Sequence, residues 1–366
     1  MPFDRVPGTV VHHAPAAGGQ YVGCPSIAVL PDGTYIASHS HFGPQAANTD
    51  SLVYRSADRG ATWKEIAALK GQIWSNLFCH RDALYIMGTD HCDRYGGRLN
   101  GRLVIRRSGD GGLNWTDPDG PDTGLLSDHD GYHTAPMPVL AHRGRLWRAV
   151  EYAPVPERLH WRVQVLSVDQ DADLLDRGAW TFSEMLAHSE SRTQWIEGNM
   201  AVAPDGTATN LLRTNYQGKS GERATGYTDR GALVRVSEDG RRLVHDPDLD
   251  VVNMPGGGSK FTVRRDDETG LYCALVNKQS DPPARRNRLY LVTSPDLRRW
   301  TTRRLLLAHP DTEKHAFQYV DWVFDGRDIA YVSRTAHHDG EADAHNFHDA
   351  NFLTFHAIED FRQYLT

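Results

Sequence analysis

Six times along the chain an apolar run, a short polar turn and a second apolar run follow one another. The units are Pro25–Leu30 with Thr34–His39, Leu77–Cys79 with Leu84–Met87, and Pro136–Leu140 with Leu146–Val150. The other three are Met200–Ala203 with Ala208–Leu212, Phe261–Val263 with Leu271–Val276, and Val320–Phe324 with Ile329–Ser333. Runs of this length, rich in β-branched and aromatic residues and joined by short polar turns such as Asp-Gly and Arg-Gly, predict β-hairpins. Each of the first five is followed by a second hairpin, complete or degenerate: 52–69, 103–115, 163–186, 232–252 and 289–307. The sixth has only Asn351–His356, and Thr9–His13 at the other end of the chain supplies its missing outer strand. Four strands repeated about every 50–60 residues predict a β-propeller. The expectation is an all-β fold, residues 1–366 as a single propeller domain. It has six four-stranded blades, with seven as the alternative, and a ring closed by the N-terminal strand. Helix signal is scarce; 357–364 is the one short candidate.

A second repeat lies on top of the first. Ser56-Ala57-Asp58-Arg59-Gly60-Ala61-Thr62-Trp63 returns 52 residues on as Ser108-Gly109-Asp110-Gly111-Gly112-Leu113-Asn114-Trp115. Ser294-Pro295-Asp296-Leu297-Arg298-Arg299-Trp300 is a shorter copy without the glycine, and Ser237-Glu238-Asp239-Gly240 a partial one. In such a turn Asp58 accepts backbone N–H groups, Gly60 takes positive φ and Trp63 packs beneath.

Composition narrows the picture. A chain of 366 residues hides roughly three quarters of its unfolded surface. A net charge of −7 with interspersed signs gives no support to a nucleic-acid partner. No apolar run is long enough to span a membrane. Met1–Arg5 shows no secretion signal, so the expected location is cytoplasmic as encoded, or secreted or periplasmic after removal of a leader. The four cysteines have neither zinc-finger spacing nor the density of a disulfide framework. No cofactor is required on this reading, Ca2+ is allowed at the hub, and the oligomeric state is left open.

In a propeller the start of each innermost strand and the end of the second reach one face of the disc. Blade by blade those places hold His39 and His41; Trp74, Asn76, Asp90 and His91; Tyr132, His133, Glu151 and Tyr152; Glu197, Asn199, Arg213 and Asn215; Ser259, Lys260, Asn277 and Lys278; and Gln318, Asp321 and Arg334, followed by His345, His348 and Asp349. The opposite ends are plain turns. Arg148, Arg213, Lys260 and Arg334 predict an anionic ligand, because a guanidinium fork matches a carboxylate. Trp and Tyr suit the apolar face of a sugar. The expected partner is therefore an acidic oligosaccharide or polysaccharide, a uronate or sialate. His345, His348, Asp349, His337 and His338 crowd one loop without a recognised metal spacing.

The octets resemble the Asp-box of sialidase-type propellers. That resemblance implies a retaining hydrolase with an Arg triad, a Tyr nucleophile paired with Glu and a loop Asp as acid. Here the first arginine of the triad is absent, its strand reading Gly23-Cys24-Pro25-Ser26-Ile27. Gly131-Tyr132-His133-Thr134-Ala135-Pro136, Ser38-His39-Ser40-His41-Phe42-Gly43-Pro44 and Asp321–Gly326 resemble propeller lyases that cleave rhamnose–glucuronate linkages. This second resemblance implies β-elimination, with His133 and Tyr132 as acid–base pair and Arg148, Arg213, Asn277 and Arg334 as carboxylate clamp. Related propeller α-L-rhamnosidases use an early Ser-His segment, which points to His39, His41 and Gln318. His91 completes the catalytic candidates, and Glu197, Asn199, Lys260, Asp321 and His348 the binding ones. The lyase is the leading expectation; the alternatives are a hydrolase and a non-catalytic sugar-binding propeller.

Overall fold

The structure is a computed structural model that describes residues 4–47, 49–91, 101–154, 161–188, 193–216, 226–278 and 285–365. Six antiparallel sheets form it. Blade 1 holds Ser26–Val29, Tyr35–Phe42, Asp50–Ser56 and Lys64–Lys70, with Tyr21–Val22 added to its second strand. Blade 2 holds Ile73–His80, Ala83–Thr89 and Leu103–Ser108. Blade 3 runs from Tyr132–His133 and Leu140–His142 through Arg145–Tyr152 and Arg162–Asp169 to Trp180–Phe182 and Leu186–Ala187. Blade 4 holds Thr193–Val202, Ala208–Tyr216, Gly226–Val236, Leu243–Val244 and Val251–Asn253. Blade 5 holds Thr262–Arg265, Tyr272–Val276, Arg288–Ser294 and Thr301–Ala308. Blade 6 holds Ala316–Asp325, Asp328–Ala336 and Phe352–Ile358, and Thr9–His13 completes it on the outside, Thr9 opposite Phe355 and His13 opposite Phe352. The fold is thus an all-β six-bladed propeller, closed by the strand the sequence assigned to that task. The seven-bladed alternative falls.

Each junction between neighbouring blades has its own apolar layer. Met87, Ile105, Val150 and Trp180 fill the one between blades 2 and 3, and Leu291, Trp322, Ile329 and Phe361 the one between blades 5 and 6. Val22, Tyr54, Val332 and Phe355 fill the closing junction. Removing such surface from water is the main stabilising term, about 25 cal/mol per Å². No helix among the described residues is long and apolar enough to cross a membrane. The 357–364 candidate is a strand end followed by a single 3-10 turn, Phe361–Tyr364.

Two expectations of regularity need correction. The outer place in blade 2 is taken by an irregular run, in which Thr116 bonds Arg107 and Leu126 bonds Leu103. Pro118 and Pro121 in that run cannot donate to a ladder. The innermost strands of blades 1 and 3 are broken in two at Pro25 and at Pro136 and Pro138.

The Asp-boxes close the third-to-fourth-strand turns, on the face away from the innermost strand starts. Ser56 Oγ donates to Asp58 (2.7 Å) and accepts the Gly60 N–H (2.8 Å), while Asp58 also accepts Thr62 N–H (2.9 Å). The second box repeats this with Ser108, Asp110, Gly112 and Asn114. Hydrogen bonds from Thr62 and Ser56, and from Asn114 and Ser108, hold the Asp58 and Asp110 carboxyls down to about 2. Gly60 has φ 86°, and a Cβ there would sit 2.1 Å from Phe355 Cε1.

Candidate active site

The innermost strands of blades 2, 4 and 6 share one local device. Their pairing slips between Ile73 and Asn76, between Ile196 and Asn199, and between Gln318 and Asp321. At each slip one non-glycine residue is left-handed: Trp74 (φ 51°), Glu197 (55°) and Tyr319 (54°). Such a backbone costs about 1–3 kcal/mol per residue and persists only where the surroundings over-determine it. The residue two positions on does that work in blades 4 and 6. Asn199 accepts the Val263 N–H (2.9 Å) and donates to Phe261 O (3.2 Å) in blade 5. Asp321 accepts Ser26 Oγ (2.6 Å) and the Ile27 N–H (3.2 Å) in blade 1. The bulges re-aim three large side chains out of the alternation of their strands.

Two of those side chains meet. The Glu197 carboxylate takes Arg213 Nη1 at 2.7 Å, and the Tyr319 hydroxyl stands near enough to feel its charge. Arg213 Nη1 lies 3.4 Å from the Tyr319 oxygen and its Nε donates to Gly258 O (3.0 Å). Two more guanidiniums face the Tyr319 ring, Arg334 at 4.9 Å and Arg286 at 5.3 Å from its centroid. Burial pushes the Glu197 carboxyl up, but the Arg213 charge and hydrogen bond outweigh it, so the group stays ionised. Burial and then the Glu197 charge push the Tyr319 phenol up, so it keeps its proton. Cys24, packed against Trp74 and Tyr319, is a thiol that burial pushes up to about 12. Among the described residues the buried charges here are Arg148, Arg213, Lys260, Arg286 and Arg334 against Glu151, Glu197 and Asp321. The excess is positive.

His133 stands beside this pair. Its Nδ1 contacts Glu151 at 3.0 Å, and its ring meets Trp74 (4.6 Å) and Trp161 (4.8 Å) edge-on. Glu151, fully buried, also accepts the Gly198 N–H at 3.3 Å. The other expected residues take different places. Tyr132 points the opposite way from its strand neighbour His133, into the junction of blades 2 and 3, and its hydroxyl is 3.4 Å from Gln164; burial pushes it up to about 12. Arg148 donates to Ala135 O (3.0 Å) and Ala149 O (3.2 Å) beneath the site; burial pushes it down to about 10. Lys260 donates to Val320 O (2.8 Å), and burial pushes it down to about 8. Asn277 ties three carbonyls of blades 5 and 6, Phe317 O among them at 2.8 Å. Gln318 takes Arg286 (2.5 Å) and donates to Phe347 O (2.5 Å), and Arg334 donates to His348 O. Burial, then the Arg334 charge, pushes His348 down to about 3. His91 sits on Asp90 (2.8 Å). His39 and His41 do not join the centre: they pack with His12 and Tyr54 between blade 1 and the closing strand. The Asn215 side chain lies outside the described residues.

Tyr319, Arg286 and Trp161 are the members that sequence reasoning did not single out. A signal for Tyr319 exists: Trp74-Ser75-Asn76, Glu197-Gly198-Asn199 and Tyr319-Val320-Asp321 are one pattern at one strand position. Two histidine groups, His12 with His39 and His41, and His309 with His315 and His337, could each hold a metal ion. His345 and His348 instead both bond Asp349, at 2.9 and 2.8 Å.

No protein-family model and no curated protein matches this chain. Solved structures do. The α-L-arabinofuranosidase of Fusarium graminearum, in complex with an iminosugar inhibitor, has a TM-score of 0.61 at 13% identity, covering 98% of this chain and 99% of that one. The α-L-arabinanase of Penicillium chrysogenum, complexed with arabinobiose, gives 0.57 at 15% over 97% and 98%. The Trypanosoma rangeli sialidase, in complex with sialic acid, gives 0.61 at 16% over 99% of this chain, which spans 57% of that enzyme's length. The chain shares the fold of these carbohydrate-active propellers. These structures overturn the lyase expectation: they are glycoside hydrolases, and they lend no support to a rhamnose–glucuronate lyase. The His133–Tyr132 elimination pair goes with it, because the two side chains leave their strand on opposite faces.

Proposed function

We propose that the chain is a glycoside hydrolase acting on a sugar that bears a carboxylate. The observation that carries this reading is that Tyr319 and Glu197 share Arg213, with Arg286 and Arg334 over the Tyr319 ring. Glu197, held ionised by Arg213, takes the phenolic proton as the Tyr319 oxygen attacks the anomeric carbon. A tyrosyl glycoside forms, and water then releases the sugar with retention. A neutral phenol suits an attack on an anionic sugar, since a carboxylate nucleophile would meet the sugar's own charge. Arg213, Arg286 and Arg334 hold the sugar carboxylate; with no arginine in the 23–27 segment of blade 1, the third guanidinium comes from blade 6. His133, oriented by Glu151 and flanked by Trp74 and Trp161, is placed to protonate the leaving oxygen. The imidazole-rich metal groups stand apart from these residues, and calcium, which prefers oxygen ligands, enters no step.

The test is a panel of 4-nitrophenyl glycosides of a sialate, two uronates and arabinofuranose. Turnover of an acidic member, with retained configuration by proton NMR, supports the proposal. Turnover of the arabinofuranoside alone, or of none, removes it.

A further inference from the structure

Three histidines gather at the rim between blades 5 and 6, on the face that carries the Tyr319 site. His309 follows the outer strand of blade 5, His315 precedes the inner strand of blade 6, and His337 follows its second strand. All three are buried, at 8%, 5% and 1% exposure. The His309 and His315 rings stack at 3.6 Å, and His337 meets them edge-on at 5.6 and 4.7 Å. One ring nitrogen of each lies within 4.8 Å of the others. Buried imidazoles without a shared task are a poor core, since each carries two polar atoms into an apolar region.

We propose that His309, His315 and His337 bind one borderline divalent metal ion of the zinc class. Two of the rings have the support a ligand needs. His315 Nδ1 is bonded to Asp311 Oδ2 (2.9 Å) and His337 Nδ1 donates to His338 O (2.9 Å). A carboxylate or carbonyl behind Nδ1 fixes the tautomer that presents the Nε2 lone pair, the usual support of a metal-bound histidine. His315 Nε2 accepts the His338 N–H at 3.4 Å, a long contact that coordination would replace. The third ring has to shift a proton. His309 Nδ1 accepts the Asp311 N–H (3.1 Å), and coordination through Nε2 moves a proton onto Nδ1 and releases that contact. Three imidazoles favour zinc, cobalt, nickel or copper over calcium or magnesium. The other histidine group is a weaker candidate, because the Tyr54 hydroxyl already sits between His12 Nδ1 (2.9 Å) and His39 Nε2 (3.3 Å). His315 lies four residues before Tyr319 and His337 three after Arg334. The ion therefore braces the wall that carries both.

The experiment uses the full chain, freed of metal by a chelator and titrated with Co2+. Expected are visible ligand-field bands that saturate at one equivalent, and a rise in Tm of about 5 °C at excess metal. Both are lost in the His315→Ala/His337→Ala double variant and kept in His41→Ala. X-ray absorption of the zinc-loaded wild type shows three imidazole nitrogens, a reading that needs no variant to fold. No saturable binding, bands that survive the double variant, bands lost in His41→Ala, or fewer than three imidazoles would each overturn the site. These readouts follow metal and not turnover, so they stand or fall apart from the hydrolase proposal.

Discussion

Tyr319 and Glu197 divide one proton between a phenol that burial keeps neutral and a carboxylate that Arg213 keeps charged. Removing only the oxygen tests that division. Tyr319→Phe retains the ring under Arg334 and Arg286, so the expected outcome is a loss in kcat of about 10³ or more with Tm unchanged. Progress curves on the turned-over glycoside, beside a thermal melt, check it; activity within tenfold of wild type would remove Tyr319 as nucleophile. Much of this site was legible in the sequence. Glu197, Arg213 and Arg334 flank apolar alternation where a propeller sends its strand ends, so a cluster of charges at the hub follows from the pattern. Tyr319 was not, because Phe317-Gln318-Tyr319-Val320 reads as an ordinary strand and the choice fell on Gln318. Tyr132 failed for the converse reason. Adjacent strand residues face opposite ways, and nothing in Tyr132-His133 says which one faces the hub.

The element that hides Tyr319 is the bulge. Hydrophobic alternation has a period of two and reports a face; one slipped residue with a left-handed neighbour inverts the face while the letters stay the same. Asn199 shows the cost of the arrangement. Asn199→Ala leaves the Val263 N–H and Phe261 O without their partner, and two orphaned buried groups predict a loss of about 1–3 kcal/mol each. Urea denaturation measures it, and a loss below 0.5 kcal/mol would mean that the bulge is held by packing instead. Because Glu197 rides on the same bulge, kcat should fall along with stability. Asp58→Ala is the contrast. It breaks the bonds to Ser56 and Thr62 on the far face, so Tm falls while kcat stays as it was. A matching drop in kcat would show that the Asp-box turns reach the site. The Asp-box was readable to the residue, Trp63 Nε1 reaching Gly60 O (3.2 Å) and Trp115 Nε1 reaching Gly112 O (2.8 Å), since its bonds are local. The outer edge of blade 2 was not, because a long irregular run can fill a strand's place without its pattern.

At the scale of the ring, closure and acid response are linked through histidine. The closing strand brings His12 against His39 and His41, and His13 against Phe352 at 4.4 Å. The closure itself was legible, because an orphan outer strand at one end of the chain matched a three-stranded unit at the other. The electrostatics it creates were not, since they depend on burial. Burial, then His41 and His13, pushes His12 down to about 4. Burial alone pushes His356 down to about 3, and burial holds His39 and His41 below the ordinary value as well. In the unfolded chain these groups titrate near 6.5. Between about 4 and 6.5 the unfolded state therefore binds more protons than the folded one, and stability falls as pH falls through that window. The Asp58 and Asp110 carboxyls, held at about 2, act only below about 4 and leave the histidine window clear. Calorimetry should show Tm dropping steadily from pH 6.5 to 4.5. His356→Gln, which cannot take up the proton, should reduce the loss of stability between pH 7 and 5 by about 2 kcal/mol. A Tm that holds level down to pH 4.5 would mean that these imidazoles are reached by water in the folded ring, and that the closing junction is looser than its packing implies.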